Sequence, residues 1–471
     1  MPQTEAFKIG LISFSDGRKR VHEDLRPTIV ERQRGLETVL RDAGAEPVVA
    51  QEVVHTPRLA VREARRLAAA DVAGVVFNIP VFAFPSFSAI AARVLEKPVA
   101  VLSPGEPELP GMGGLLASGG ALEQMGMLHE RIWGPYESEG TRRRLATFVR
   151  AAGARHRLVG QVYGQIGGRS IGMLTGVSSS PAEWLRVFGV DIDHADESEI
   201  LRIAETVGED EREGIVDWLE ANLRGVHYGE SPKLTRENLK FQAACAAAVK
   251  RTCEQRQFDF IGVKCHYDMS EYYCTQCLSA AFLPSRVDWD GPKKPVACAC
   301  EADGDGALTM QILQLISGCP ALFLDLRHYD RESDAWTLCN CGGQSNFYAE
   351  RSEDPGENLR RVELVPVISK YGGVGAHVRY VGSPGPLTFA RIQHDEQEPA
   401  LVAFTGEAVP AEEGWLEQSC PAWPHIFAKT EVEPETLLEE LHANHVHAAA
   451  GSWVEELKSF ARMVDIPFAA L

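Results

Sequence analysis

Through about residue 165, apolar runs of strand length alternate with stretches whose apolar residues recur at helical spacing. Runs over 7–14, 46–54, 74–79 and 97–102 read as strands, and 32–43, 58–70 and 86–95 read as the helices between them. A strand followed by a crossover helix and another strand returns parallel to the first, so this rhythm predicts a parallel sheet with helices on both faces. Further helices are predicted over 121–133 and 142–151, in a region punctuated by Gly113-Gly114, Gly119-Gly120 and Gly167-Gly168.

A second alternating unit is predicted to begin at 169–174, with helices over 181–188, 197–207, 211–223 and 234–255. Three apolar runs follow, over 258–264, 295–301 and 321–325, ending in Lys264, Glu301 and Asp325. Between the last two lies a helical stretch, 307–316, with Leu308, Ile312, Leu315 and Ile316 on one face. Open parallel sheets bind ligands beyond the carboxyl ends of their strands, which is where those three polar residues fall. Past residue 335 the texture changes to short β-type segments, 361–368, 375–380, 385–393 and 399–404, separated by Gly and Pro, with a closing helix over 454–464. The predicted class is α/β: two doubly wound parallel-sheet domains, 1–165 and 166–335, then a smaller β-rich, barrel-like domain, 336–471. A chain of 471 residues suits two or three such cores.

Charge narrows the partners. The net charge is −19, split as +3 through Gln165 and −22 beyond it. An acidic body repels phosphate backbones, so nucleic acid is not an expected partner. The mildly basic first part suits an acidic neighbour such as another subunit. No apolar run reaches the ~18–20 residues of a bilayer span, and the start lacks a secretory leader, so a cytoplasmic protein without a membrane partner is expected. All 11 cysteines lie at or beyond Cys245. An odd number without a leader argues against a disulfide framework. Cys274-x-x-Cys277 is matched by Cys298-x-Cys300 and Cys339-x-Cys341, whose spacings miss the usual zinc knuckle, so these read as small buried hydrophobes.

Glu301 and Asp325 have three open readings: a general acid and base, two metal ligands, or capping groups without chemistry. Asp303 and Asp305, beside the next helix, fit the capping role better. His442, His445 and His447 fall within six residues, a cluster that suits either a solvated loop or a metal site shared with the carboxylates. There is no His-Glu-x-x-His, Walker loop or Gly-x-Ser-x-Gly elbow, which removes the usual support for metalloprotease, nucleotidase and hydrolase readings.

Three segments, in order, resemble the L-fucose isomerase family: Glu301-Ala-Asp-Gly-Asp-Gly-Ala-Leu-Thr-Met-Gln, Phe323-Leu-Asp325-Leu-Arg327-His-Tyr329, and Ala443-Asn444-His445 with the helix leading to Met463-Val-Asp-Ile-Pro467. Asp16-Gly17-Arg18 after the first strand is similar too. The resemblance implies an aldose–ketose isomerase working through a cis-enediol, with Mn²⁺ (Mg²⁺ or Co²⁺ as alternatives) held by Glu301, Asp325 and His445. Glu301 and Asp325 would also carry the proton. It further implies a hexamer in which the first domain covers a neighbour's active site. Arg18, Lys264, His266, Trp423, His425 and Asn444 are the candidates for sugar contacts, with Gln276 and Tyr329 behind them. The chain stops soon after Pro467, short of the longer tail of bacterial L-fucose isomerases, so the sugar is open. An L-fucose or D-arabinose type substrate and a hexose altered at C6, such as sulfoquinovose, both suit the reaction. Two readings compete: a metal-free sugar-binding protein, and a glycoside hydrolase using Glu301 and Asp325 while leaving His445 idle.

Overall fold

The computed structural model describes residues 6–174, 180–395 and 398–471. It divides into two compact units: residues through Arg157 joined by Glu455–Asp465, and Leu158–Val454 joined by Ile466–Leu471.

The first unit holds a five-stranded sheet in the order Ala45–Val49, Phe7–Ser13, Gly74–Asn78, Val99–Ser103, Glu130–Trp133. Every neighbouring pair is parallel, and the order reverses beside Phe7–Ser13, which makes the sheet doubly wound. Gly74–Asn78 and Val99–Ser103 are buried at every residue, the consequence of helices covering both faces. The helix expected over 121–133 is corrected. Helix Gly111–Gln124 ends early because Gly126 takes φ 67°, its N–H bonding Glu123 while Met127 N–H reaches back to Leu122. That closure caps the helix, and the chain emerges as the fifth strand.

The second unit opens with a four-stranded parallel sheet, ordered Cys298–Cys300, Phe260–Val263, Val162–Ile166, Asp191–Ala195. Its first strand is Val162–Ile166 and not the expected 169–174, of which the stretch after Gly167-Gly168 is turn and irregular chain. The same unit contains a ring of antiparallel strands: Gly385–Asp395, His445–Ala450, Leu322–Asp330, Ala335–Cys339, His425–Thr430 and Glu398–Val409, the last pairing back onto the first. Closure removes the exposed edges that an open sheet would present. Phe468–Ala470 adds a parallel strand to Glu398–Val409. The segments expected over 361–368 and 375–380 lie outside the ring, in a three-stranded sheet with Gly225–Val226.

One placement differs in a way that matters for the site. The run 321–325 is not a strand of the parallel sheet; it begins Leu322–Asp330, a strand of the ring that turns at once into Ala335–Cys339. Four apolar residues ending in an aspartate, Ala321 to Asp325, cannot distinguish the two sheet types. The polar tail beyond Asp325, with Arg327 and His328 exposed, carries the signal of a half-solvated hairpin.

Helix Gly304–Ser317 connects the two layers. It packs on strands of the parallel sheet and on Gly385–Asp395 and His445–Ala450 of the ring, which explains why eleven of its residues are buried. Among the described residues, no helix is long and apolar enough to cross a membrane.

The turn into this helix rests on Gly262, in strand Phe260–Val263. A Cβ there would strike the Tyr163 hydroxyl and come within 3.0 Å of the Ala302 Cα. Gly262→Ala is expected to cost about 1–3 kcal/mol through overpacking, read from urea unfolding. Unchanged stability would show that the turn is not held from this side.

Candidate active site

Strand register builds half of the site. Asp325 lies opposite His445 on one side and Cys339 on the other, and Cys339 lies opposite His425. Directly opposed residues share a face of the sheet, so His445, Asp325, Cys339 and His425 form one row. The register shifts between Leu326 and His328, a bulge immediately after Asp325. Asn444 secures the carboxylate: its Nδ2 donates to Asp325 Oδ1 at 3.0 Å, while its carbonyl accepts from Leu326 N–H at 3.1 Å.

The end of strand Cys298–Cys300 supplies the other half. Glu301 and Ala302 both adopt left-handed backbone, φ 60° and 53°, which costs on the order of 1 kcal/mol or more at each non-glycine residue. Asp303 then caps the helix, its Oδ1 accepting from Gly306 N–H at 2.8 Å. It does more than cap. Arg391 donates to Asp303 through Nη1 at 2.5 Å and Nη2 at 3.1 Å, and His445 Nδ1 lies 2.8 Å from Asp303 Oδ2. Asp303 and Arg391 are 0% and 1% exposed. Burial opposes ionisation of Asp303, but the Arg391 charge and the His445 bond hold its carboxyl far below the ordinary range.

His445 is the junction. With Nδ1–H directed at Asp303, its Nε2 lies 3.5 Å from Glu301 Oε2 and 3.5 Å from Asp325 Oδ1. That Nε2 is buried and has no hydrogen-bond partner among the described residues. Burial pulls the imidazole toward neutrality, yet Asp303, Glu301 and the Asp325 charge overcome it and push its pKa up to about 10. Burial raises the Asp325 carboxyl, whereas for Glu301 the His445 bond outweighs burial and lowers it. Arg391 is matched by Asp303, which leaves the charges of Glu301 and Asp325 facing one nitrogen. Without a metal, that charge keeps a proton on Nε2; a divalent cation that displaced it would meet an oxygen-rich donor set, and Nδ1 held on a carboxylate is the usual support of a metal-binding imidazole.

The other candidate residues are distributed as follows. His266 is buried beside Glu301, with Nε2 2.9 Å from the Tyr371 hydroxyl. Lys264 follows strand Phe260–Val263 and is ion-paired with Asp268. Both ring nitrogens of His425 are engaged, Nδ1 by the Trp423 carbonyl and Nε2 by the Ser419 hydroxyl, each at 2.9 Å. Trp423 is buried, its Nε1 without a partner among the described residues, and the Arg327 guanidinium lies over its ring. Gln276 accepts from Ser279, and the Tyr329 hydroxyl donates to Asp334. Arg18 belongs to the first unit, where Asp16 grips its exposed guanidinium at 2.9 and 2.7 Å.

Sequence reasoning missed three features. Asp303 read as a cap alone, Arg391 went unnoticed, and the half-buried Cys341, weighed within Cys339-x-Cys341, read only as a small hydrophobe. Arg391 had a signal: a cation inside the otherwise apolar stretch Phe389-Ala-Arg391-Ile, which only a buried counter-charge permits. Cys341 had only its Cys-x-Cys spacing, which misdirects because its neighbours come from distant segments.

Comparison with known proteins supplies the context. The chain matches the L-fucose isomerase first N-terminal domain over residues 6–160 and the L-fucose isomerase C-terminal domain over residues 338–471, together more than half its length. Glu301 and Asp325 fall between these spans and His445 within the second. A sulfoquinovose isomerase of Alkalicoccus urumqiensis is 24% identical over 223 residues, covering 42% of this chain and 46% of that protein. With two domains of one family matched in order around this constellation, the chain belongs to the L-fucose isomerase family.

Proposed function

We propose that this protein interconverts an aldose and its ketose, with Glu301, Asp325 and His445 holding a divalent cation, Mn²⁺ before Mg²⁺ or Co²⁺. The observation that carries this reading is the unpartnered, buried His445 Nε2 facing one oxygen of each carboxylate at 3.5 Å. A bound divalent ion would polarise the sugar carbonyl and favour loss of the C2 proton. The protein's own groups do the rest. Glu301 and Asp325 are the carboxylates positioned to take a proton from C2 and return it to C1, the sugar passing through a cis-enediol. Asn444 keeps Asp325 Oδ1 oriented, and Asp303 keeps His445 in the tautomer whose Nε2 faces inward. Arg391, spent on Asp303, fixes that acceptor without adding charge to the sugar's surroundings.

The hydrolase alternative is weaker on the same geometry. It leaves His445, whose Nε2 lies 3.5 Å from both carboxylates, without a role. Family membership supports a sugar substrate, and the sulfoquinovose isomerase relative supports a hexose altered at C6 as readily as an L-fucose or D-arabinose type sugar.

Three outcomes test the proposal. Across a panel of these aldoses, chelation should abolish ketose formation and Mn²⁺ should restore it better than Zn²⁺; full turnover in metal-free protein would overturn the metal assignment. In D₂O, the product should carry solvent deuterium at C1, even if only in part, whereas complete retention over early turnover would indicate a hydride shift. Asp303→Asn keeps a cap acceptor but loses the charge that orients His445, so Mn²⁺ affinity measured by electron paramagnetic resonance titration should fall about 10–100-fold. An unchanged affinity would remove Asp303 from its positioning role.

A further inference from the structure

We propose a second cation site of thiophilic character, formed by Cys300, Cys341, His266 and the Oε1 oxygen of Glu301. The Cys300 and Cys341 sulfurs are 3.7 Å apart. Zinc–thiolate bonds of about 2.3 Å in a tetrahedron place two sulfurs about 3.8 Å apart, so this spacing is already that of two ligands on one ion. Glu301 Oε1 lies 3.9 Å from the Cys341 sulfur, and a His266 ring nitrogen, a Glu301 oxygen and that sulfur fall within 4.8 Å of one another. Cys341, His266 and Glu301 are three donors already grouped, and Cys300, in contact with Cys341, is the fourth that an ion would draw in.

The surroundings favour an ion over a random contact. His266 is fixed by the Tyr371 hydroxyl on Nε2 and by Ser170 on its carbonyl, and Cys341 N–H is held by Asn340 Oδ1 at 2.7 Å. Cys300 and Cys341 are only partly buried as residues, whereas nearby Cys265 and Cys277 are buried and engaged, with the Gln276 backbone N–H and with His377. The site takes one cysteine from each Cys-x-Cys segment, which explains why neither spacing reads as a zinc motif.

Glu301 thus offers Oε2 to the oxygen-rich centre at His445 and Oε1 to a sulfur-rich one. Hard ions such as Mn²⁺ and Mg²⁺ select the first and Zn²⁺ or Cd²⁺ the second, while Co²⁺ can enter either and reports the second through its thiolate band. The second site shares Glu301 with the proposed isomerase centre but does not rest on that reading, since the thiol pair and His266 define it.

The test is Co²⁺ added to the metal-free full-length protein under reducing conditions. A near-ultraviolet thiolate-to-cobalt charge-transfer band is expected, lost in Cys300→Ser and in Cys341→Ser and retained in Asp325→Asn, which alters the His445 centre alone. No band in the unaltered protein, a band persisting in both serine variants, or its loss in Asp325→Asn overturns the proposal. Should a serine variant fail to fold, alkylation mapping of the unaltered protein decides: Zn²⁺ should shield Cys300 and Cys341 from iodoacetamide, and equal labelling with and without Zn²⁺ refutes the site. A cobalt–thiolate band in a protein that isomerises no sugar would sink the functional reading and leave this site standing.

Discussion

Asp303 is the residue on which the site depends. Its two oxygens take four contacts: Gly306 N–H and Arg391 Nη2 on one, Arg391 Nη1 and His445 Nδ1 on the other. A carboxylate has about four acceptor positions, so none is wasted. Such saturation is what makes a charge tolerable at 0% exposure, because an ion pair stripped of water gains only when its remaining lone pairs are bonded. Breaking a pair of this kind typically costs about 3–5 kcal/mol, comparable to a large share of a domain's net stability. The same carboxylate therefore caps a helix, neutralises a ring-strand arginine and chooses a histidine tautomer.

That arrangement welds two architectures of one unit. Glu301 arrives from the end of a parallel strand, Asp325 and His445 from adjacent antiparallel strands, and helix Gly304–Ser317 lies between the layers. Parallel strands put functional groups at their carboxyl ends, whereas antiparallel register sets side chains opposite one another in fixed rows. The centre uses both devices. The left-handed pair Glu301-Ala302 makes the transition in two residues, and its cost is offset by the cap and the ion pair that follow at once.

Much of the fold was legible because periodicity reports which face is buried. The alternation through residue 165 specifies a parallel sheet, and the Gly- and Pro-punctuated end of the chain specifies a β-rich one. Local chemistry defeated the reading where it overrode the pattern: Gly126 stopped a helix that composition would have continued, and the fifth strand went unseen. Asp325 was assigned to the parallel sheet because its apolar lead-in is the same in either sheet type, and pairing partners are not written locally. The Arg391 ion pair spans 88 positions to Asp303, and the thiol contact spans 41. Contacts at such separation leave at most an oddity in the chain, such as a cation in an apolar strand.

The divided surroundings of Glu301 carry a chemical consequence. Softness and charge separate its two oxygens: one faces an imidazole shared with a second carboxylate, the other a thiol. A carboxylate that serves only as a ligand gains little from a thiol neighbour, since thiols are poor hydrogen-bond donors and weakly hold its orientation. The Oε1 side of Glu301 thus meets only the weak Cys341 thiol contact, at the His266–Cys341 corner. In the proposed isomerase, constraint at Oε2 would leave Oε1 for the proton, and a cation at the His266–Cys341 corner would compete for that oxygen, a conflict that a doubly anchored residue such as Asp303 does not face.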